Sequence, residues 1–358
     1  MDHSIIFRRE GSYGGFPVLV PLADGRLSVG LPVAPFHDHY GIGDWVVLVS
    51  ADEGVTWTET DDPGVPHTWP GSSPRERYDR LATVLHDGTF LCVGTVGWEV
   101  WKADRKSEAE ALGYAARPHP ADNTRIVVGG SRLFVQRSTD GGETWSRREW
   151  SVPGIKHLTS FPRHAILEDG TLLVTVYGIT PESKRHNWVL RSTDQGETWR
   201  FISMGAPESA DGSESTLLEV SPGRVLCHTR NEDGELLERW SDDGGLTWTY
   251  PVLTTLLGFP PHLLKLADGR ILCSYGYRRE PMGIRVVVSE DDGQTWSDPI
   301  ILREDGGTPC SLRENPPSGT ADIGYPISSQ LPNGDIFTAY YITLEDGVTH
   351  SAATRWKV

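Results

Sequence analysis

Apolar residues fall in short runs, each closed by a polar turn ending in glycine and followed at once by a second apolar run. The copies are FPVLVPLADGRLSV, YDRLATVLHDGTFLCV, FPRHAILEDGTLLVTV, SESTLLEVSPGRVLCH, FPPHLLKLADGRILCSY and YPISSQLPNGDIFTAYY. Runs of this length with a glycine between them predict antiparallel hairpins, not helices. The turn glycines are Gly25, Gly88, Gly170, Gly223, Gly269 and Gly334. Self-similarity at a regular interval is the signature of a repeat architecture.

A second pattern interleaves with the first. Ser-x-Asp-x-Gly-x-Thr-Trp begins at Ser50, Ser138, Ser192, Ser241 and Ser289. Each copy predicts a turn. The Asp (52, 140, 194, 243 or 291) accepts backbone N–H groups, the Gly takes a positive φ, and the Trp packs the loop onto its sheet. These Asp-box acids are therefore structural. Six hairpins, five of them followed by an Asp box, predict an all-β, six-bladed propeller forming one domain over residues 1–358. The segment from Ser4 to Arg8 is expected to pair with the last blade and close the ring, which removes open sheet edges. One insertion, about 100–123 in the second blade, is helix-like early and proline-bearing later. It reads as a lid, a subunit contact or a plain surface excursion.

Counting back nine residues from each turn glycine gives Phe16, Asp79, Phe161, Glu214, Pro260 and Tyr325. In a propeller these positions open the innermost strands. A carboxylic acid, a carboxylate and a phenol in one register read as a catalytic set. Each also has a structural reading: Asp79 pairing with Arg75, Arg77 or Arg80, Glu214 with Arg230, and Tyr325 plugging the channel.

Composition narrows the picture. The formal charge is −16. With no basic run to offset it, nucleic acid is not an expected partner. There is no long apolar run, so no membrane span is expected. The start, MDHSIIFRRE, lacks a signal-peptide pattern. The chain as written reads as cytoplasmic, or as secreted if a signal was removed. Cys92, Cys227 and Cys273 sit in apolar runs and read as small core residues. No cofactor or metal is expected. The cluster His37-Asp38-His39 reads as a solvated loop or as metal ligands. His164 and His262 read as wall residues or as a base. An oligomer is compatible with the sequence.

The repeats and these openings resemble the sialidase superfamily over nearly the whole chain. In that family a Glu opens an inner strand and an Arg follows the turn glycine at seven residues, as in Glu214 to Arg230 here. A Tyr opens a later strand of the form of Tyr325-Pro-Ile-Ser-Ser-Gln-Leu331, and an Asp opens the second blade, where Asp79 stands. A further Arg precedes a Gly-Ile-Arg strand, which gives Arg279 before Arg285. The first-blade Arg-Ile-Pro element is replaced by Gly15-Phe16-Pro17, so one of three carboxylate-gripping arginines is absent. Arg8, Arg77, Arg80 and Arg163 are the substitutes within reach of the pattern.

The resemblance implies an exo-acting glycoside hydrolase on a terminal acidic sugar of a glycan. Tyr325 is then the nucleophile, Glu214 its base and Asp79 the acid/base. Arg230 and Arg279 hold the substrate carboxylate, with Arg77, Arg163 and His164 as further contacts. Two alternatives remain open. One is a polysaccharide lyase on uronate glycans of the rhamnose–glucuronate type, and the other is a glycan-binding propeller without turnover.

Overall fold

The computed structural model describes all residues except 23, 39–41, 62–81, 96–98, 113, 130–131, 153, 161–163, 181, 183, 206–211 and 314–320. Among the described residues the fold is all-β with one short α-helix, Lys106–Ala111. The chain forms two compact units. One comprises residues 1–67 and 257–358, the other residues 68–256.

The first unit holds three antiparallel sheets. One runs from Tyr13–Gly14 and Val18–Pro21 through Leu27–Ala34 and Asp44–Ser50 to Thr58–Glu59. The next orders Phe259–Lys265, Ile271–Tyr277, Gly283–Ser289 and Ile300–Arg303. The last orders Gly324–Gln330, Ile336–Thr343, Thr349–Trp356 and then Asp2–Phe7. Thus the first strand of the chain pairs with its last, Ser4 opposite Ala353. The last sheet is buried on both faces. Tyr340, Ile342 and Trp356 pack against Ile284, Val286 and Leu302 on one side. Phe337, Ala339 and Ala353 pack against Val29, Leu31 and Leu48 on the other.

The second unit repeats the arrangement. Ala82–Val84, Phe90–Thr95, Arg132–Ser138 and Ser146–Ser151 form one sheet. Lys156–Ser160 and Ala165–Ile166, Leu172–Ile179, Arg185–Ser192 and Arg200–Ser203 form another. Gly212–Ser221, Arg224–Asn231, Glu235–Ser241 and Val252–Leu257 form a third. The insertion makes its own small sheet of Glu99–Lys102, Asp122–Gly129 and Ala115–His119. Its core is Ala109, Ile126 and Val128 with Trp101 and Tyr114 packed on them. The helix-like early part is the Lys106–Ala111 helix, and strands build the rest of the excursion.

The hairpin turns share one device. The Asp or Asn just before the glycine accepts the N–H two residues ahead: Asp24 from Arg26, Asp87 from Thr89, Asp169 from Thr171, Asp268 from Arg270 and Asn333 from Asp335. Ser221-Pro222-Gly223 lacks such a side chain, and there Glu219 accepts the Gly223 N–H at 2.8 Å. All four cysteines are buried and none is in a disulfide.

The five Ser-x-Asp-x-Gly-x-Thr-Trp turns are built alike. In the first, Ser50 Oγ takes the Gly54 N–H at 2.8 Å, and Asp52 takes the Thr56 N–H at 2.8 Å and its hydroxyl at 2.6 Å. Trp57 Nε1 then donates to the Gly54 carbonyl at 3.2 Å, and Trp145, Trp199 and Trp248 make the same bond in the next three turns. Hydrogen bonds from the paired threonine, first its hydroxyl and then its N–H, hold Asp52, Asp140 and Asp291 down to about 2. A carboxyl whose folded pKa is depressed stabilises above its unfolded value, near 3.9, and loses that stabilisation as pH falls through the folded value. The expected result is a loss of stability between about pH 4 and 2 that is shallower in Thr144→Val. Urea midpoints of the two proteins across that window check it.

Candidate functional site

The four counted positions that are described, Phe16, Glu214, Pro260 and Tyr325, share a backbone feature that the sequence does not spell out. In every sheet where the opening is described, the inner strand loses register there. Gly212 pairs with Asn231 and Ser215 with Thr229, so Ser213 and Glu214 together face one residue, Arg230. Pro260 is an extra residue between the pairs Phe259–Gly276 and Pro261–Tyr275. Tyr325 and Pro326 lie between Gly324–Tyr341 and Ile327–Ala339. Residues 15–17 fall between Gly14–Val33 and Val18–Gly30. A bulge re-aims one side chain out of the ladder, which is why bulges gather beside active sites. Phe16 and Tyr325 also hold positive φ, 55° and 52°. An aromatic side chain tolerates that region only when its surroundings enforce it.

In the 68–256 unit the bulge brings Glu214 against Arg230. Arg230 Nη1 donates to Glu214 Oε2 at 2.8 Å, and Glu214 is only 7% exposed. Tyr177 lies in the same field. Burial raises its pKa, and the negative Glu214 raises it further, while Arg230 opposes the shift. Glu232 links Arg230 to Arg185 at the rim. Asn187 Nδ2 donates to the Ser213 carbonyl at 2.7 Å, and Thr175 Oγ1 to the Ser215 carbonyl at 3.2 Å. These bonds fix the bulge from the neighbouring sheet.

In the other unit Tyr325 sits among aromatic rings. Phe16 meets it edge-on at 4.7 Å, and Tyr341 lies 5.8 Å away. A side chain at position 15 would meet the Tyr13 ring at 2.6 Å, so glycine there is sterically required. Tyr13 therefore occupies the room an arginine would need. Tyr13 is fully buried, which raises its pKa, and its hydroxyl donates to Asp322 at 3.4 Å. His37 pairs with the same Asp322 oxygen at 3.0 Å.

Among the other sequence candidates, Arg279 is exposed. Its neighbour Arg278 is the guanidinium packed at this opening. Nε donates to the Ile323 carbonyl at 3.0 Å and Nη2 to the Tyr341 hydroxyl at 3.3 Å. Adjacency to Arg279 was the only signal for it in the sequence. Arg285 is bound by the carbonyls of Arg303 and Pro281, a structural role. Arg8, a possible substitute cation, pairs with Asp346 at 2.6 Å. Asp79, Arg77, Arg80 and Arg163 lie outside the described residues.

The histidine readings separate. His262 Nδ1 accepts the Ser328 N–H at 3.2 Å, as a wall residue would. His164 is not hydrogen-bonded: both ring nitrogens are buried without partners, and burial pushes its pKa down to about 4. Asp38 caps its own loop through the Ile42 and Gly43 N–H groups, while His37 turns to Asp322. His39 lies outside the described residues. Among the described residues, no three His, Cys, Asp or Glu side chains gather as a metal site.

Comparison with known proteins agrees with this picture. A family model described as BNR repeat-like domain matches residues 111–338. A protein of unknown function from Dyadobacter fermentans DSM 18053 is 26% identical, with TM-score 0.76 over 99% of this chain and 98% of its own. A Hadza microbial sialidase is 21% identical, with TM-score 0.64 over 97% of this chain and 66% of its own, a likeness of fold. A xyloglucanase of a Paenibacillus species is 27% identical over 263 residues, 62% of this chain and 25% of that protein. A sialidase of Bacteroides fragilis (strain YCH46) is 27% identical over 126 residues, 33% of this chain and 23% of that protein. The matched region thus spans about a quarter of either curated relative.

Proposed function

The chain belongs to the BNR repeat-like domain family, and from that premise we propose that it is an exo-acting glycoside hydrolase, sialidase-like, that removes a terminal acidic sugar from a glycan. We read its six hairpin sheets as the blades of one propeller. The shared strand order and the pairing of the first strand with the last support that reading. The observation that carries the hydrolase proposal is the bulged, buried Glu214–Arg230 pair. It joins a proton acceptor to a carboxylate-binding cation at the opening of an inner strand.

In the proposed reaction Tyr325 attacks the anomeric carbon. A neutral phenol suits a sugar whose own carboxylate would repel an anionic nucleophile. A phenol near its ordinary pKa of about 10 needs a base, and Glu214 takes that proton. Asp79 protonates the leaving oxygen and then activates water, a role that rests on its matched sequence position alone. Arg230 holds the substrate carboxylate, with Arg278 or Arg279 as the second cation.

The test is a panel of aryl glycosides of sialic acid, other nonulosonates and uronides. The expected result is release of the aryl alcohol together with the intact acidic sugar. Silence across the panel would sink the proposal. So would an unsaturated uronate absorbing in the near ultraviolet, which marks a lyase.

A further inference from the structure

The strand that carries Glu214 has a ladder on one side only, because Gly212–Ser221 stands at the end of its sheet. Part of its buried backbone must therefore find partners elsewhere. The carbonyls on either side of Glu214 find theirs on the next sheet. Asn187 Nδ2 donates to the Ser213 carbonyl at 2.7 Å, and Thr175 Oγ1 donates to the Ser215 carbonyl at 3.2 Å. Both donors are buried, and they stand on two strands that pair with each other. A Cβ at Gly212 would overlap Asn187 Oδ1 and lie 2.7 Å from Thr229 Cγ2. The missing side chain at 212 is thus what lets Asn187 reach the bulge. From within the sheet a buried polar chain backs the same segment. Ser215 Oγ lies 2.9 Å from Thr229 Oγ1, which accepts Arg239 Nη1 at 3.2 Å, and Arg239 is itself buried.

A bulge competes with a slipped arrangement, in which the ladder closes by one residue and side chains turn to the opposite face. For Glu214 such a slip means leaving Arg230. The two caps bracket Glu214, one residue before it and one after. They hold the offset in which Ser213 and Glu214 together face Arg230.

We propose that Asn187 and Thr175 are positioning residues for the base of the reaction proposed above, an inference that rests on that reading. Neither acts on the substrate. Each holds a backbone carbonyl next to Glu214, and together they fix the register that presents its carboxylate.

Asn187→Leu keeps the volume and removes one donor, and Thr175→Val removes the other. On the preferred aryl glycoside, Asn187→Leu should lower kcat about ten- to a hundredfold with KM within about threefold, and Thr175→Val should lower it about three- to tenfold. Made in the Glu214→Gln protein, where the base is already gone, each substitution should cost less than about twofold. Thermal melts report folding, and Thr175→Val, the milder change, carries the test if Asn187→Leu does not fold. A kcat loss confined to the protein with Glu214 supports the positioning role. No loss, a rise in KM alone, or equal losses in both backgrounds overturns it, because a general loosening of the sheet slows every background alike. A wild type silent on the whole panel sinks the hydrolase reading, and Glu214→Gln at the wild-type rate sinks the base. Either result takes the positioning role with it, and both are read before a cap is changed.

Discussion

Tyr325→Phe is expected to lower kcat on the preferred aryl glycoside by about a thousandfold or more, with KM nearly unchanged. The hydroxyl is the reacting atom in the proposed mechanism, and the ring is not. Phenylalanine keeps the edge contact with Phe16 and the packing near Tyr341, so the variant should fold as the wild type does. Glu214→Gln should cost about a hundred- to ten-thousandfold through the lost base. An amide keeps the shape and one acceptor for Arg230, so the bulge survives. If the two residues work as one nucleophile–base unit, the double variant will be no slower than the slower single one. Additive losses would separate them, and near-wild-type rates in either variant would remove that residue from the chemistry. Steady-state kinetics with thermal melts as the folding control decide among these outcomes.

Much of the fold was legible because its devices are local. The turn glycines, the aspartates that bond two residues ahead and the Ser-Asp-Thr-Trp turns each close within a few residues, so the letters alone carry them. The register argument that picked Glu214 and Tyr325 was local too. It rested on a fixed count back from the turn glycine, and the structure shows a ladder offset at that count. What the sequence could not carry depends on residues far apart in the chain. Asp322 joining Tyr13 and His37 spans nearly the whole chain. Arg278 and Arg279 are adjacent letters, and only the surroundings of Ile323 and Tyr341 tell them apart. The buried Arg239 looks in sequence like an ordinary strand arginine. In the insertion the alanine- and glutamate-rich start forms the helix that its composition suggested, and the strands around it were not legible from composition.

Gly283→Ala should produce the largest loss of stability of any single methyl addition in the 1–67 and 257–358 unit. Gly283 opens the strand that pairs Tyr277 on one side and, one residue on, places Ile284 opposite Arg303. A Cβ at Gly283 would fall within the van der Waals radius of the Arg303 carbonyl and close on Glu304 Cα. Both are backbone, so no side-chain rotation relieves the overlap. That carbonyl also accepts Arg285 Nη1, so moving it leaves the nearly buried guanidinium short of an acceptor. Relief requires the Ile300–Arg303 edge strand to swing away, which uncovers Leu302 and the core face of Ile284. Overpacking against backbone together with a broken buried hydrogen bond gives an expected cost of about 3 kcal/mol or more. Gly269→Ala is the control. It adds a methyl where nothing lies within 4 Å, at a φ of 93°, so only the backbone penalty applies, about 1–2 kcal/mol. Denaturant midpoints of the two variants should differ in that order. A Gly283→Ala midpoint equal to or above that of Gly269→Ala would mean that the edge strand is not held where its hydrogen bonds put it.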